Sequence, residues 1–138
     1  MRLSQKLSVL AALSAVVCYF GGAYAADEKK TLSIKDCMSC QNMTRGAILP
    51  KGKGKEVDWE AAGKKTKTWL EAAEDLSKND PPKGTKESWK EQTAKYVTNV
   101  KAVDEAVEKK NIESVTRGLA TFNASCMGCH AQHKPAKK

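Results

Sequence analysis

Residues 85–107 read TKESWKEQTAKYVTNVKAVDEAV. The apolar members Trp89, Tyr96, Val97, Val100, Val103 and Val107 are spaced by threes and fours, apart from a gap at Thr93 and the adjacent pair Tyr96 and Val97. That spacing draws one apolar stripe along an α-helix, and Thr85 ahead of it is a residue type that caps helix N-termini. Downstream, Asn111 offers a cap to a further helix in which Ile112, Val115, Leu119, Phe122 and Cys126 continue the same steps into Cys129 and His130. Upstream, the breaker Asn79-Asp80-Pro81-Pro82-Lys83-Gly84 ends a helix that Asp58 caps, with Ala62, Thr66, Trp69, Leu70, Ala73 and Leu76 on one face. A first helix is expected over Thr31–Leu49, stopped by Pro50 and followed by a Gly- and Lys-rich loop, Lys51–Lys55.

Four helices of roughly 19 residues, each about 28 Å long, predict an all-α fold, an antiparallel four-helix bundle. The chain has 138 residues, 41% hydrophobic and 29% charged, which leaves room for one domain or two very small ones and excludes large multidomain enzymes. Only 6% aromatic residues and four prolines agree with helix rather than sheet. The aliphatic content is thin for so many Lys, Ala and Thr, so a large apolar cofactor is expected to complete the interior.

The N-terminal residues read as a secretory signal peptide: Arg2 and Lys6, then an apolar run from Leu7 to Phe20, then Ala23-Tyr24-Ala25 as a cleavage site. The apolar run is short for a stable membrane anchor. The expected organisation is therefore a signal over 1–25 and a bundle domain over 26–138, exported to the periplasm or an equivalent compartment. Losing Arg2 and Lys6 with no acid lowers the formal net charge from +8 to +6. Cys18 leaves with the signal, and bulky Val17 before it argues against lipidation. Two pairs remain, Cys37-Met38-Ser39-Cys40 and Cys126-Met127-Gly128-Cys129.

The second pair is followed by His130, and Cys-x-x-Cys-His is the attachment sequence of c-type haem. Two thiols one helical turn apart can hold the porphyrin vinyl carbons as thioethers, and the adjacent imidazole then lies under the iron as proximal ligand. With this chain's residue frequencies the motif is expected by chance about 0.003 times. One covalent haem c on Cys126, Cys129 and His130 is the resulting expectation. A thioredoxin-like dithiol would want a βαβ setting, and a zinc site built from all four thiols would leave His130 without a role.

The first pair lacks a histidine. On a helical wheel Lys35, Ser39, Asn42 and Gly46 fall on one side, and Cys37, Cys40, Thr44 and Ile48 on the other, so both cysteines face the core. In an up-down-up-down bundle the start of the first helix lies beside the end of the last. Cys37 is accordingly expected as a distal thiolate ligand of the iron, with Cys40 as the alternative; Cys37 lies nearer the centre of the apolar arc. Such a donor lowers the reduction potential. The blander readings are a local disulfide or two small buried apolar residues. Met38 and Met43 are other candidate iron ligands, and His133 is expected exposed near the tail.

An export signal, four helices and a single haem motif at Cys126–His130 near the C-terminus resemble cytochrome c′ and the related cytochrome c-556 group. The likeness runs over the whole expected mature chain, and the passage Lys51-Gly52 to Asp58–Ala62 is also similar. The family usually sets a Leu or Met of its first helix over the distal face, where this chain has Cys37 and Cys40, and the aromatic residue often found three positions after the haem histidine is His133 here. A cysteine on that side is similar to the small subunits of heterodimeric Nax pairs from anaerobic ammonium-oxidising bacteria. The resemblance implies binding of nitric oxide or carbon monoxide at the iron and pairing through the first two helices. The pair could be a homodimer or a heterodimer with a related cytochrome.

Two functions follow as expectations. In one, reduction weakens the thiolate bond and a diatomic gas replaces it, for sensing, scavenging or transport. In the other, both axial ligands stay and the protein carries electrons at low potential, its basic surface docking an acidic redox partner. A zinc- or disulfide-stabilised binding module is a remote alternative. Nucleic-acid binding is not expected of an exported chain without interleaved aromatic and basic residues. Nor is catalysis, since no second titratable group is evidently set beside the motif.

Overall fold

The structure is a computed structural model that describes residues 30–49 and 56–136. The expected signal over 1–25 and the loop over 51–55 lie outside the described residues. Among the described residues there are four α-helices and no strand: α1 (Ile34–Ile48), α2 (Trp59–Ser77), α3 (Lys86–Glu108) and α4 (Ile112–His133).

Each helix begins at a residue whose side chain accepts a backbone N–H that the helix leaves unpaired. Ser33 accepts from Asp36, Asp58 from Ala61, Thr85 from Ser88 and Asn111 from Ser114. The cap at Ser33 explains why α1 starts later than the sequence suggests. Leu32 before it is held against the end of α2, its N–H donating to Asp75 Oδ2 at 3.1 Å and its carbonyl accepting from Asn79 Nδ2 at 3.0 Å.

Chain neighbours pack side by side: α1 on α2, α2 on α3, and α3 on α4. The cross-links between them are those of antiparallel helices. Lys67 at the middle of α2 pairs with Glu108 at the end of α3, Trp89 near the start of α3 donates its indole N–H to the Asn79 carbonyl just past the end of α2, and Ser88 near the start of α3 bonds His133 at the end of α4. No comparable backbone approach joins α1 to α4. That seam sets the position of the site.

Most of the apolar interior gathers toward the end of the bundle where α1 and α3 finish and α2 and α4 begin. Ile48, Trp69, Val100, Val103, Val107, Val115, Leu119 and Phe122 are buried there together. The Trp69 and Phe122 rings meet edge to face at 4.7 Å, and Tyr96 meets Phe122 in the same manner at 5.1 Å. At Gly118 the helices α3 and α4 come so close that a Cβ would stand 3.0 Å from Val103 Cγ2. Thr93, the gap in the α3 stripe, is buried because its hydroxyl donates back to the Trp89 carbonyl at 2.9 Å. Ile112 departs from expectation: as the first residue of α4 it lies outside the packed stripe and is exposed.

At the opposite end only Cys37, Leu76 and Trp89 form a buried apolar cluster, with Ile34, Met38, Tyr96 and Cys129 packed against it. The remaining space there is a cavity.

Candidate functional site

Because α4 runs unbroken to His133, Cys126, Cys129 and His130 project from successive positions of one helical face. All three line a cavity of about 340 Å³, within the range of roughly 300–1,000 Å³ typical of small-molecule sites. Facing them across the α1–α4 seam stand Ile34, Met38 and Gln41 of α1, with Leu76 at the floor. Trp89 and Tyr96 contribute the α3 wall. Gln92, Lys95 and Lys134 also line it, adding polar and positive groups.

The two thiols of α4 are half-buried. Burial pushes both Cys126 and Cys129 up from the ordinary thiol range, partly offset at Cys126 by the positive charge of Arg45 on α1. They are therefore neutral thiols, and among the described residues neither is paired with another cysteine. Cys126 Sγ lies 3.4 Å from the Phe122 carbonyl one turn earlier, the usual local partner of a helical thiol.

The first cysteine pair lies behind the cavity wall rather than on it. Cys37 is fully buried in the small cluster with Leu76 and Trp89, its sulfur turned to the Leu32 carbonyl at 3.9 Å, and it does not line the cavity. Desolvation, with Asp75 nearby, pushes its thiol up to about 11. Cys40 is half-buried against the larger core and turned to the Thr68 carbonyl of α2 at 3.8 Å. Both face inward, as the wheel has it: Cys40 toward α2, and Cys37 into the cluster that it shares with Leu76 and Trp89. The sulfur that α1 brings to the cavity is Met38, while Met43 is exposed. Comparison with protein-family models, with curated proteins and with solved structures finds no match for this chain.

Among the described residues no three His, Cys, Asp or Glu side chains converge as a metal cluster. Cys129 packs against the cluster that holds Cys37, and Cys40 and Cys126 against the larger one. The described helices also include none long and apolar enough to cross a membrane.

His133 corrects an expectation. It is buried, not exposed: Nδ1 lies 2.7 Å from the Lys83 carbonyl, Nε2 lies 3.1 Å from Ser88 Oγ, and the ring meets Trp89 edge to face at 5.2 Å. Gly84 makes room for it with φ +83°, since a Cβ there would stand 2.9 Å from Nδ1. The signal was present in the spacing, because His133 lies four residues after Cys129 and seven after Cys126 and so shares their face.

Gln41 belongs to the site without being marked out by the sequence. It is buried and lines the cavity, and it ends a chain of hydrogen bonds: Trp69 Nε1 donates to the Tyr96 hydroxyl at 3.0 Å, which donates to Gln41 Oε1 at 3.1 Å. Burial pushes the Tyr96 phenol well above its usual range, so it keeps its proton. Positions 37, 41, 44 and 48 are the buried stripe of α1. Their steps of four, three and four were visible in sequence, but a glutamine is not counted when apolar letters are sought.

Proposed function

We propose that this chain is an exported c-type cytochrome that holds one covalent haem in the cavity between α1, α3 and α4 and binds a diatomic gas such as NO or CO when reduced. The observation that carries this reading is that Cys126, Cys129 and His130, in Cys-x-x-Cys-His order, all open onto one mainly apolar cavity. The donor set fits the group: two neutral thiols for the vinyl carbons and an imidazole for the iron. Cys126 and Cys129 would hold the group as thioethers, each S–H adding across one vinyl double bond with no net oxidation or reduction. Lys95 and Lys134 supply positive charge suited to the two carboxylates that haem carries. When bound, the haem would supply the iron that takes the gas; His130 would ligate that iron, the apolar wall would limit water, and α1 would supply a second neighbour.

For that second neighbour α1 offers two sulfurs. Met38 lines the cavity, whereas Cys37 lies one position round the helix, about 100° away, and would have to leave its packing and lose its proton to bind as a thiolate. Retention of Met38 or Cys37 in the reduced protein gives the second reading, a six-coordinate electron carrier, which Met38 on the facing wall favours. An acidic redox partner and a dimer, with a like or a related chain, belong to the proposal as expectations of the basic surface and of the family resemblance.

The test is an optical titration of protein matured in a periplasm with the haem-attachment machinery. A pyridine haemochrome of c-type, lost in the Cys126→Ser/Cys129→Ser double variant, together with a shift of the reduced spectrum on adding carbon monoxide, supports gas binding. A c-type spectrum indifferent to carbon monoxide replaces it with electron transfer. Absence of haem from the wild-type protein overturns both. Cys37→Ala and Met38→Leu, read in the ferric spectrum, tell which sulfur binds.

A further inference from the structure

The hydrogen-bond chain from Trp69 to Gln41 has a direction, and the direction fixes an amide. An indole N–H can only donate, so the Tyr96 oxygen accepts from Trp69 and its own proton must go elsewhere. It goes to Gln41, which can receive it only through Oε1. The NH₂ end of Gln41 is thereby turned the other way. That nitrogen has no acceptor among the described residues, although no fully buried side-chain nitrogen or oxygen there lacks a partner. Nε2 therefore keeps access to open space, and the space that Gln41 borders is the cavity facing Cys126, Cys129 and His130.

We propose that Gln41 is the ligand-orienting donor of this cavity, an N–H held in place by Tyr96 and Trp69 for an acceptor atom of the bound molecule. The inference rests on the haem reading and narrows it. A wall made only of Ile34, Met38 and Leu76 would treat diatomic ligands alike apart from size. One fixed donor favours a ligand whose far atom carries negative charge when bound, such as nitric oxide or a bound oxygen species, over a less polarised one. Holding the amide from behind matters because a free glutamine side chain would lose much of the bond's worth to ordering.

The experiment is infrared spectroscopy of the carbon monoxide adduct of the reduced, haem-loaded protein, wild type against Gln41→Leu and Tyr96→Phe. Loss of the donor is expected to move the C–O stretch of Gln41→Leu to higher wavenumber and to speed nitric oxide release about tenfold, the worth of one hydrogen bond. Tyr96→Phe, which leaves Gln41 in place but unheld, is expected to split or broaden the band as the amide samples both orientations. Circular dichroism of each variant checks that the bundle is intact. If Gln41→Leu folds poorly, the Tyr96→Phe band alone carries the test, a single unshifted band overturning the inference. Haem-loaded wild type and Gln41→Leu with identical stretches overturn the inference and leave the cytochrome reading standing. A wild-type protein without haem overturns the cytochrome reading, and the inference with it.

Discussion

Toward one end of the bundle Trp69, Phe122, Ile48 and a run of valines from α3 and α4 interlock, and little space is left. Toward the other, the apolar cluster among the described residues is just Cys37, Leu76 and Trp89, and a cavity of about 340 Å³ is left. The helical periodicity does not change between the two ends. What changes is the residue chemistry at the inward positions: aliphatic and aromatic at the first, sulfur, amide and imidazole at the second. An inward stripe therefore marks burial in both halves, and only side-chain identity distinguishes a core from a site.

The contrast can be tested by truncation. Phe122→Ala in the packed end is expected to cost about 3–5 kcal/mol, read as a lower urea midpoint with an unchanged slope, because nothing nearby can collapse into the space. His133→Ala at the cavity end removes the bonds to the Lys83 carbonyl and Ser88 and the ring contact with Trp89. Its expected cost is about 1–2 kcal/mol, concentrated in faster amide exchange through the turn that carries Gly84. Met38→Ala, whose side chain already borders open space, is expected to cost under about 1 kcal/mol in the haem-free protein. A Met38→Ala loss as large as that of Phe122→Ala would erase the distinction between the two ends.

The sequence carried the fold well because its signals were local. Asp58, Thr85 and Asn111 were each read as caps from residue type and position, and each accepts the expected N–H. Much of the α4 wall was legible for the same reason, since Cys126, Cys129 and His130 are near neighbours on one helix. The α1 wall was not. Placing Cys37 or Met38 at the cavity depends on how α1 is rotated against α2, a matter of about 100° that packing decides. Gln41 needed something further, because its significance lies in Tyr96 and Trp69, residues 55 and 28 positions away. His133 was misjudged as a tail residue because its partners, Lys83, Ser88 and Trp89, belong to the far side of the chain.

The weak seam between α1 and α4 also has a kinetic meaning. Each of the other helix pairs is a hairpin whose partners are consecutive in the chain, and such contacts form quickly because little chain must be looped to bring them together. The α1–α4 approach closes the longest loop in the bundle, so it is expected to form after the three hairpins and to open before them. A bulky guest could thus enter edgewise through the last joint to shut, with the packed end already assembled and undisturbed.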